Sequence, residues 1–358
     1  MPYIIDTSVI DFEHIQNQSS IKSFTMEMFK EQILKFPKLQ SVFDNTQIEK
    51  RNFCVPFEFF LKNHSFKELN DIYQKVSLDA SKKSVIQLLS ANSIDKGDVT
   101  DLIYVNSTGL ATPSIDALII NDLEMNYNIN RYPIWGLGCV GGVSGISKAN
   151  TIAIANPDAI VILVNAELCS ITFRKNDYSM SNFIATTLFS DGVSSLLVVG
   201  ERAFQKLFNK PKYKINISAT LARLYHSSLN VMGWEFLDDG FKVIFSKDIP
   251  NIISTKVKGD VFDFLNKNNL NCSQINNFIF HTGGAKIIDA YRDSFGIQDE
   301  LLLNTRNVLK NYGNMSSASV IYVMNEFFRK GFVVGKGLML AVGPGFSSEI
   351  ILLDISKN

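Results

Sequence analysis

The chain contains few cysteines and histidines, and their arrangement excludes several kinds of site. Its 358 residues include four cysteines and four histidines. The cysteines lie far apart and form no CxxC pair: Cys54, Cys139, Cys169 and Cys272. We therefore expect a reducing cytoplasm and not a disulfide framework. Because the histidines form no HExxH or HxH pattern, we also expect no metal site.

Long apolar runs and an excess of one charge are missing too. No uninterrupted apolar stretch is as long as a membrane-spanning helix, and the first residues lack the positive and apolar regions of a signal peptide. The 35 basic residues balance 35 acidic residues, so the formal net charge is +0. We therefore expect a cytoplasmic protein that neither spans a membrane nor binds nucleic acid as its main task.

The apolar content, by contrast, is high, and its pattern occurs twice. Hydrophobic residues make up 46% of the chain, which is enough for a large core. Each half is predicted to contain a strand, a helix, a second helix and two further apolar strands, in that order. In the first half these elements lie at 102–106, 113–124, 139–156, 159–164 and 194–199. In the second half they lie at 278–280, 285–295, 314–330, 337–342 and 349–353. Near-continuous apolar strands that alternate with helices indicate sheets covered on both faces.

We therefore predict an α/β fold with a duplicated, layered αβαβα architecture. Its halves would be residues 1–205, which carry a candidate nucleophile, and residues 206–358, which carry its candidate partners. Chance similarity between α/β segments is the alternative. Helices around 21–35 and 66–76 are expected to form a cap, and the polar or mixed segments 201–215 and 266–277 are expected to be surface connections.

The strongest chemical signal is a cysteine between glycines, in the segment GLGCVGG at 136–142. Cys139 precedes a predicted helix, whose N-terminal N–H groups and dipole favour a thiolate. The glycines let an acyl group approach the backbone closely. A small buried apolar residue is the alternative interpretation, and it is the favoured one for the other three cysteines, which lack this frame.

Two later motifs, HTGG at 281–284 and YGNMSS at 312–317, supply an imidazole and an amide. His281 follows an apolar strand, so it could pair with a Cys139 thiolate and donate to a thioester carbonyl. Asn314 opens a helix, where it could be an N-cap or a donor to a carbonyl or enolate oxygen. Cysteine, histidine and asparagine in this order favour acyl transfer through a thioester, with formation of a carbon–carbon bond.

Further motifs lie between and after these three: ELCSITFR at 167–174, LFSDG at 188–192 and GPGF at 343–346. The whole set, in this order, resembles the type III polyketide synthases, the chalcone-synthase-like branch of the thiolase superfamily. The segments STGLATPSID at 107–116 and MGW at 232–234 are more similar to bacterial members than to plant ones. Residues 1–95 match the family weakly.

The resemblance implies a thiolase-like fold, a homodimer and an acyltransferase. Cys139 would carry an acyl-CoA starter, and His281 and Asn314 would drive decarboxylation of malonyl-CoA, whose enolate extends the chain repeatedly before cyclisation. CoA thioesters are the substrates, so no cofactor, metal or carrier protein is implied. For a bacterial-type member we expect fatty acyl-CoA starters and alkylpyrone or alkylresorcinol products.

The resemblance also assigns residues to substrate binding. Phe189 matches a gatekeeping aromatic, with a plain core residue as the alternative, and Val243 stands where plant enzymes carry a second one. The other expected cavity residues are Thr112, Cys169, Thr172 and Ser316. Lys38 corresponds to a basic residue that faces CoA phosphates, although a solvated surface lysine is equally expected. Glu167 is expected to be buried and ordering.

Two other functions are compatible with the same trio. One is a single condensation like that of ketoacyl-ACP synthase III, whose usual helix-opening motifs differ from those at 281–284 and 312–317. The other, from a non-enzyme class, is a catalytically silent acyl-binding scaffold. Product size separates the first from iterative extension, and release of CO2 from malonyl-CoA separates the second.

Overall fold

A computed structural model describes residues 1–35 and 40–358. Its strands are β1 (Tyr3–Val9), β2 (His14–Asn17), β3 (Lys50–Phe53), β4 (Asp101–Asn106), β5 (Asn130–Trp135), β6 (Ile160–Leu168), β7 (Asp191–Val199), β8 (Tyr213–Leu224), β9 (Met232–Leu237), β10 (Gly240–Phe245), β11 (Ile275–Phe280), β12 (Gly335–Gly343) and β13 (Ser347–Lys357). Its helices are α1 (Gln18–Met28), α2 (Lys30–Lys35), α3 (Gln40–Asp44), α4 (Phe66–Ala91), α5 (Ile115–Asp122), α6 (Gly141–Ala155), α7 (Met180–Leu188), α8 (Glu201–Lys206), α9 (Ile249–Ile252), α10 (Lys258–Lys267), α11 (Ala285–Phe295), α12 (Leu303–Tyr312) and α13 (Ser319–Lys330).

Nine of these strands are hydrogen-bonded into one sheet, in the order β11-β12-β13-β8-β1-β7-β6-β4-β5. The first strand lies at the seam, because β1 pairs antiparallel with β7 on one side and with β8 on the other. The seam is narrow on the β8 side, where Tyr3 pairs with Asn216 and Ile4 pairs with Ile215. The strands on the two sides of the seam thus form two groups that meet along a short ladder.

The two groups repeat one pairing scheme, which is the duplication expected from the sequence. In the first group β4 is parallel to β6, and β6 is antiparallel to β7. In the second group β11 is parallel to β12, and β12 is antiparallel to β13. The helices α6 and α13 occupy equivalent places, each leading into the central strand of its group.

Three apolar clusters give the molecule its layers. The central cluster contains α6, α13 and the strand faces of both groups that turn toward them, including Val161 and Leu163 of β6. Ile162 and Val164, the alternate residues of the same strand, belong to a second cluster beneath α1, α4 and α5. The third cluster lies beneath α9 to α12. Because both faces of the strands are covered, their sequences read as continuous apolar runs.

The central helices approach each other closely because α6 begins with glycines. A Cβ atom on Gly142 would lie 2.3 Å from the carbonyl oxygen of Ser317, which is closer than any real contact. Any residue larger than glycine would therefore push apart the two segments that carry Cys139 and Asn314. The glycine frame noticed in the sequence has a packing role as well as a chemical one.

The predicted surface connections are partly wrong. The segment 201–215 contains α8 and the start of β8, and 266–277 contains the end of α10 and the start of β11. The first of these segments is held by apolar contacts: Phe204 packs on Tyr3, with ring centroids 4.3 Å apart. The helix predicted at 66–76 continues to Ala91 and begins at a capping box formed by Ser65 and Glu68.

Candidate active site

Cys139 lies in a short 3-10 turn, Gly138–Val140, that runs directly into α6. Gly138 has a φ of 51°, and a Cβ there would lie 2.8 Å from Cδ of Pro344 in the GPGF motif. Glycine is therefore required by backbone conformation and by packing. The turn buries the Cys139 side chain, which is 5% exposed.

Asn314 faces Cys139 from the other half of the chain. The thiol of Cys139 donates to Oδ1 of Asn314, with 4.0 Å between sulfur and oxygen. The same oxygen accepts a hydrogen bond of 2.9 Å from the backbone N–H of Ser316. This bond closes a local turn around Met315, which is the N-cap of the 3-10 turn Ser316–Ala318, so Asn314 is not the helix N-cap of the alternative interpretation. The amide nitrogen Nδ2 has no hydrogen-bond partner among the described residues and is free to donate.

The segment of Phe189 holds Asn314 in place. Asn314 N–H donates to the carbonyl of Leu188 at 2.9 Å, and Ser190 N–H donates to the carbonyl of Asn314 at 2.9 Å. These bonds form a parallel bridge between Phe189 and Asn314. The expected gatekeeper and the expected amide donor are therefore joined through their backbones.

His281 follows β11 and is 1% exposed. Its neighbour Thr282 donates to the carbonyl of Gly313 at 3.3 Å, which places the HTGG segment beside Asn314. Neither ring nitrogen of His281 has a hydrogen-bond partner in residues 1–35 and 40–358. The imidazole is thus buried and available to an incoming group.

Burial sets the protonation of both groups. It lowers the pKa of His281 to about 3 and raises the pKa of Cys139 to about 12. Each group taken alone is therefore neutral at pH 7. This differs from the thiolate expected from the helix N-terminus, because desolvation of a fully enclosed sulfur outweighs the dipole of the turn.

Glu167 lies at the end of β6, is fully buried as expected, and connects the two halves. It accepts hydrogen bonds from Ser107 and Thr108 of the first half and from Ser316 and Ser317 of the second. Burial raises the pKa of its carboxyl group, and these donors act in the opposite direction. Ser316, which was predicted to line the cavity, instead lies in the turn beside Asn314, where its hydroxyl donates to Glu167.

A cleft adjoins Phe189. Four of the predicted cavity residues line it: Cys169, Thr172, Phe189 and Val243. The rest of the wall is largely apolar and comes from the first 60 residues and the 173 region, including Ile21, Phe24, Phe53, Phe57, Phe60 and Phe173. The helix α1 therefore contributes to the cavity, as the cap expected for this region would.

Two predicted binding residues, Thr112 and Ser316, do not line this cleft. Thr112 is exposed and lines a separate cleft with Tyr73, Tyr104 and Trp135. Lys38 lies outside the described residues. The sequence interpretation also missed several polar residues of the first cleft, among them Thr25 and Arg51. The only signal for them was their position in segments rich in aromatic residues, which gives no indication of a role.

The described residues contain no group of three or more His, Cys, Asp or Glu side chains arranged to hold a metal ion. In the same part of the chain, no helix combines the length and apolar character needed to cross a membrane.

Comparison with known proteins identifies similar chains over nearly the whole length. Residues 6–202 match the family model for the N-terminal domain of chalcone and stilbene synthases, and residues 217–356 match the model for the C-terminal domain. The Bacillus subtilis (strain 168) protein named "Putative chalcone synthase" is 40% identical over 96% of this chain and 95% of its own. The 1,3,6,8-tetrahydroxynaphthalene synthase of Streptomyces peucetius subsp. caesius is 30% identical over 88% of this chain and 83% of its own.

Among solved structures, the 1,3,6,8-tetrahydroxynaphthalene synthase of Streptomyces coelicolor A3(2), a bacterial type III polyketide synthase, superposes with a TM-score of 0.93. The superposition covers 99% of this chain and 100% of that one, at 22% sequence identity. The thiolase-like architecture expected from the motifs is therefore confirmed.

Proposed function

Because this chain belongs to the chalcone and stilbene synthase family and is a type III polyketide synthase, we propose that it extends fatty acyl-CoA starters with malonyl-CoA and cyclises the products to alkylpyrones, with alkylresorcinols next. It is an acyltransferase, and enzymes of this family use acyl-CoA and malonyl-CoA. The observation that carries the proposal is the convergence of Cys139 and Asn314 in a buried site beside the largely apolar cleft at Phe189.

In the first step Cys139 is acylated. His281 accepts the thiol proton as sulfur attacks the carbonyl of the starter thioester, and the Nδ2 group of Asn314 donates to the carbonyl oxygen as it becomes negative. The carbon–sulfur bond to CoA then breaks, and His281 returns the proton to the departing CoA thiolate. The neutral thiol and neutral imidazole favoured by burial are the reactants that this step requires.

In the second step malonyl-CoA loses CO2. The electron pair of the broken carbon–carbon bond forms an enolate, whose oxygen accepts hydrogen bonds from Asn314 and His281. The enolate carbon attacks the acyl carbonyl on Cys139, a new carbon–carbon bond forms, and the Cys139 thiolate leaves. Transfer of the extended chain back to Cys139 allows another round. Neither step uses a cofactor or metal.

The starter class is inferred from the cleft. Its wall is rich in phenylalanine, and Val243 adds an aliphatic surface at the second gatekeeping position. Such a surface favours alkyl chains by roughly 0.8 kcal/mol for each buried CH2 group. Lactonisation to a pyrone places fewer demands on the geometry of the site than an aldol closure, so pyrones are proposed as the main product.

A homodimer is part of the proposal. The strand β5 forms one edge of the nine-stranded sheet, and most of its residues are exposed, including Tyr132 and Trp135. An exposed edge with aromatic side chains offers unpaired backbone groups and apolar area to a second copy.

The test is a panel of CoA thioesters of increasing chain length, with coumaroyl-CoA included, each incubated with malonyl-CoA and analysed by mass. Medium to long fatty acyl-CoA should be preferred. Thr172→Phe should shorten the preferred chain because the residue lines the cleft, whereas Thr255→Phe, at an exposed position, should leave it unchanged. Preference for coumaroyl-CoA, or identical profiles for both variants, would overturn the starter assignment.

A further inference from the structure

The cleft beside Phe189 contains two polar side chains whose hydrogen-bonding capacity is unused. Most polar groups in its wall are satisfied by the protein: Thr172 donates to the carbonyl of Cys169, and Ser170 donates to Asp191. Arg51 and Thr25 differ, because each has polar atoms with no hydrogen-bond partner among the described residues. A binding cleft that is mainly apolar, with a few converging polar groups, is the usual form of a small-molecule site.

Arg51 is 1% exposed although it carries a guanidinium group. Its Nη1 donates to the carbonyl of Phe189 at 2.8 Å, while Nε and Nη2 have no partner in the described part of the chain. Its stem packs against Gly313, next to Asn314. Burial lowers its pKa to about 9, and the charge of Asp191 opposes that shift. The side chain thus remains a cation at neutral pH and holds two unused donors in a dry environment.

Thr25, on α1, is likewise 1% exposed. Its hydroxyl Oγ1 has no partner among residues 1–35 and 40–358. A buried hydroxyl or guanidinium without a partner is costly, so a ligand that supplies an acceptor would recover that cost. Both residues line the same cleft as Phe189 and Cys169.

We propose that Arg51 and Thr25 form a polar subsite that binds a keto or enolate oxygen of the β-keto acyl chain as it grows into the cleft. This inference rests on the proposed iterative extension. A fatty acyl starter has no oxygen beyond its thioester carbonyl, so it cannot use the subsite. After the first extension the chain carries a 3-oxo group, which can. The cleft therefore discriminates between a starter and an extended intermediate, and it favours retention of the intermediate for another round.

The decisive variants are at Thr25, because its hydroxyl makes no hydrogen bond to the described residues. Thr25→Val removes the hydroxyl at nearly constant shape, and Thr25→Ser retains it. With octanoyl-CoA and malonyl-CoA, intact-protein mass measures loading of Cys139, and product mass measures the ratio of twice-extended to once-extended chains. We expect Thr25→Val to lower that ratio roughly three- to tenfold, a larger effect than any it has on loading. Thr25→Ser should retain the wild-type ratio.

A binding measurement separates this inference from the proposed function. In full-length Cys139→Ala protein, titration calorimetry compares octanoyl-CoA with 3-oxooctanoyl-CoA. The 3-oxo compound should bind more tightly, and adding Thr25→Val should lower its affinity by a larger factor than it lowers the affinity for octanoyl-CoA. If the active enzyme fails to extend octanoyl-CoA but the preference is present, the starter assignment fails and the subsite stands. Equal affinities for both compounds, or an unchanged product ratio in Thr25→Val, would overturn the subsite.

Discussion

Removal of His281 should change how the reactivity of Cys139 depends on pH. In the wild type, one proton is shared by the pair. It lies either on the sulfur of Cys139 or on the second ring nitrogen of His281. Burial lowers the pKa of His281 to about 3 and raises that of Cys139 to about 12, so the number of bound protons is constant over the intervening range. The rate of alkylation by iodoacetamide should therefore be flat between about pH 6 and pH 9.

In His281→Ala the sulfur has no base and reacts only as the free thiolate. Because the thiolate is the deprotonated form, a raised pKa lowers its population at neutral pH. With a pKa of about 12 the thiolate fraction at pH 7 is about 10⁻⁵, and it rises about tenfold with each pH unit. The alkylation rate of the variant should follow the same slope.

The assay is the rate of Cys139 modification at several pH values, followed by peptide mass. Cys272 in the same sample is a free, partly buried thiol whose labelling rate should rise with pH as its thiolate fraction rises, and His226→Ala, at an exposed histidine, is the matched control that should stay flat. A tenfold slope in the wild type would show that His281 does not act on Cys139. A flat profile in His281→Ala would show that another group takes its place.

Three further outcomes are expected. Asn314→Ala should slow CO2 release from malonyl-CoA by a factor of roughly 10² to 10³, since the amide donates to the developing oxyanion. Normal release would show that Asn314 has only a structural role, through its hydrogen bond with Ser316. Gly142→Ala should lower the free energy of unfolding by roughly 1–3 kcal/mol, because its Cβ would lie 2.3 Å from the carbonyl of Ser317. The control is Gly259→Ala in α10, where no atom lies within 4 Å of the new Cβ. This variant should raise the free energy of unfolding by roughly 0.5–1 kcal/mol. Similar effects of the two variants in denaturant titration would refute the packing argument. Light scattering should give twice the chain mass of 40.1 kDa, and a single monomeric mass at micromolar concentration would contradict the dimer.

The strands buried on both faces were the most predictable part of the fold. The predictions at 159–164 and 337–342 fall almost wholly within β6 and β12, because continuous apolar runs have few other solutions. The strands β8 to β10 were not predicted. The sequence of β8 does alternate between apolar and polar residues from Tyr213 to Leu221, which is the period-two pattern of a half-buried strand, so this strand was a missed signal.

The candidate site divides in the same way. Cys139 and Asn314 lie in motifs whose glycines and local turns are encoded within a few residues, and their proximity follows from the duplicated fold. Arg51 and Thr25 carry no such local signal. Their unused polar atoms lie together only because α1 and β3 pack beside Phe189, which is a property of tertiary structure. Thr112 was grouped with the cavity on motif alone and lines a different cleft.

The position of β1 has a consequence for synthesis of the protein. This strand is made before both of its neighbours, β7 and β8, which follow it by roughly 200 residues. Apolar residues of β1 such as Ile4 and Ile5 therefore remain without their sheet partners until β7 and β8 have been synthesised. Contacts of such long sequence separation form slowly, and waiting apolar strands are prone to aggregate. The seam that joins the two halves is thus the segment for which the growing chain most needs protection by a chaperone.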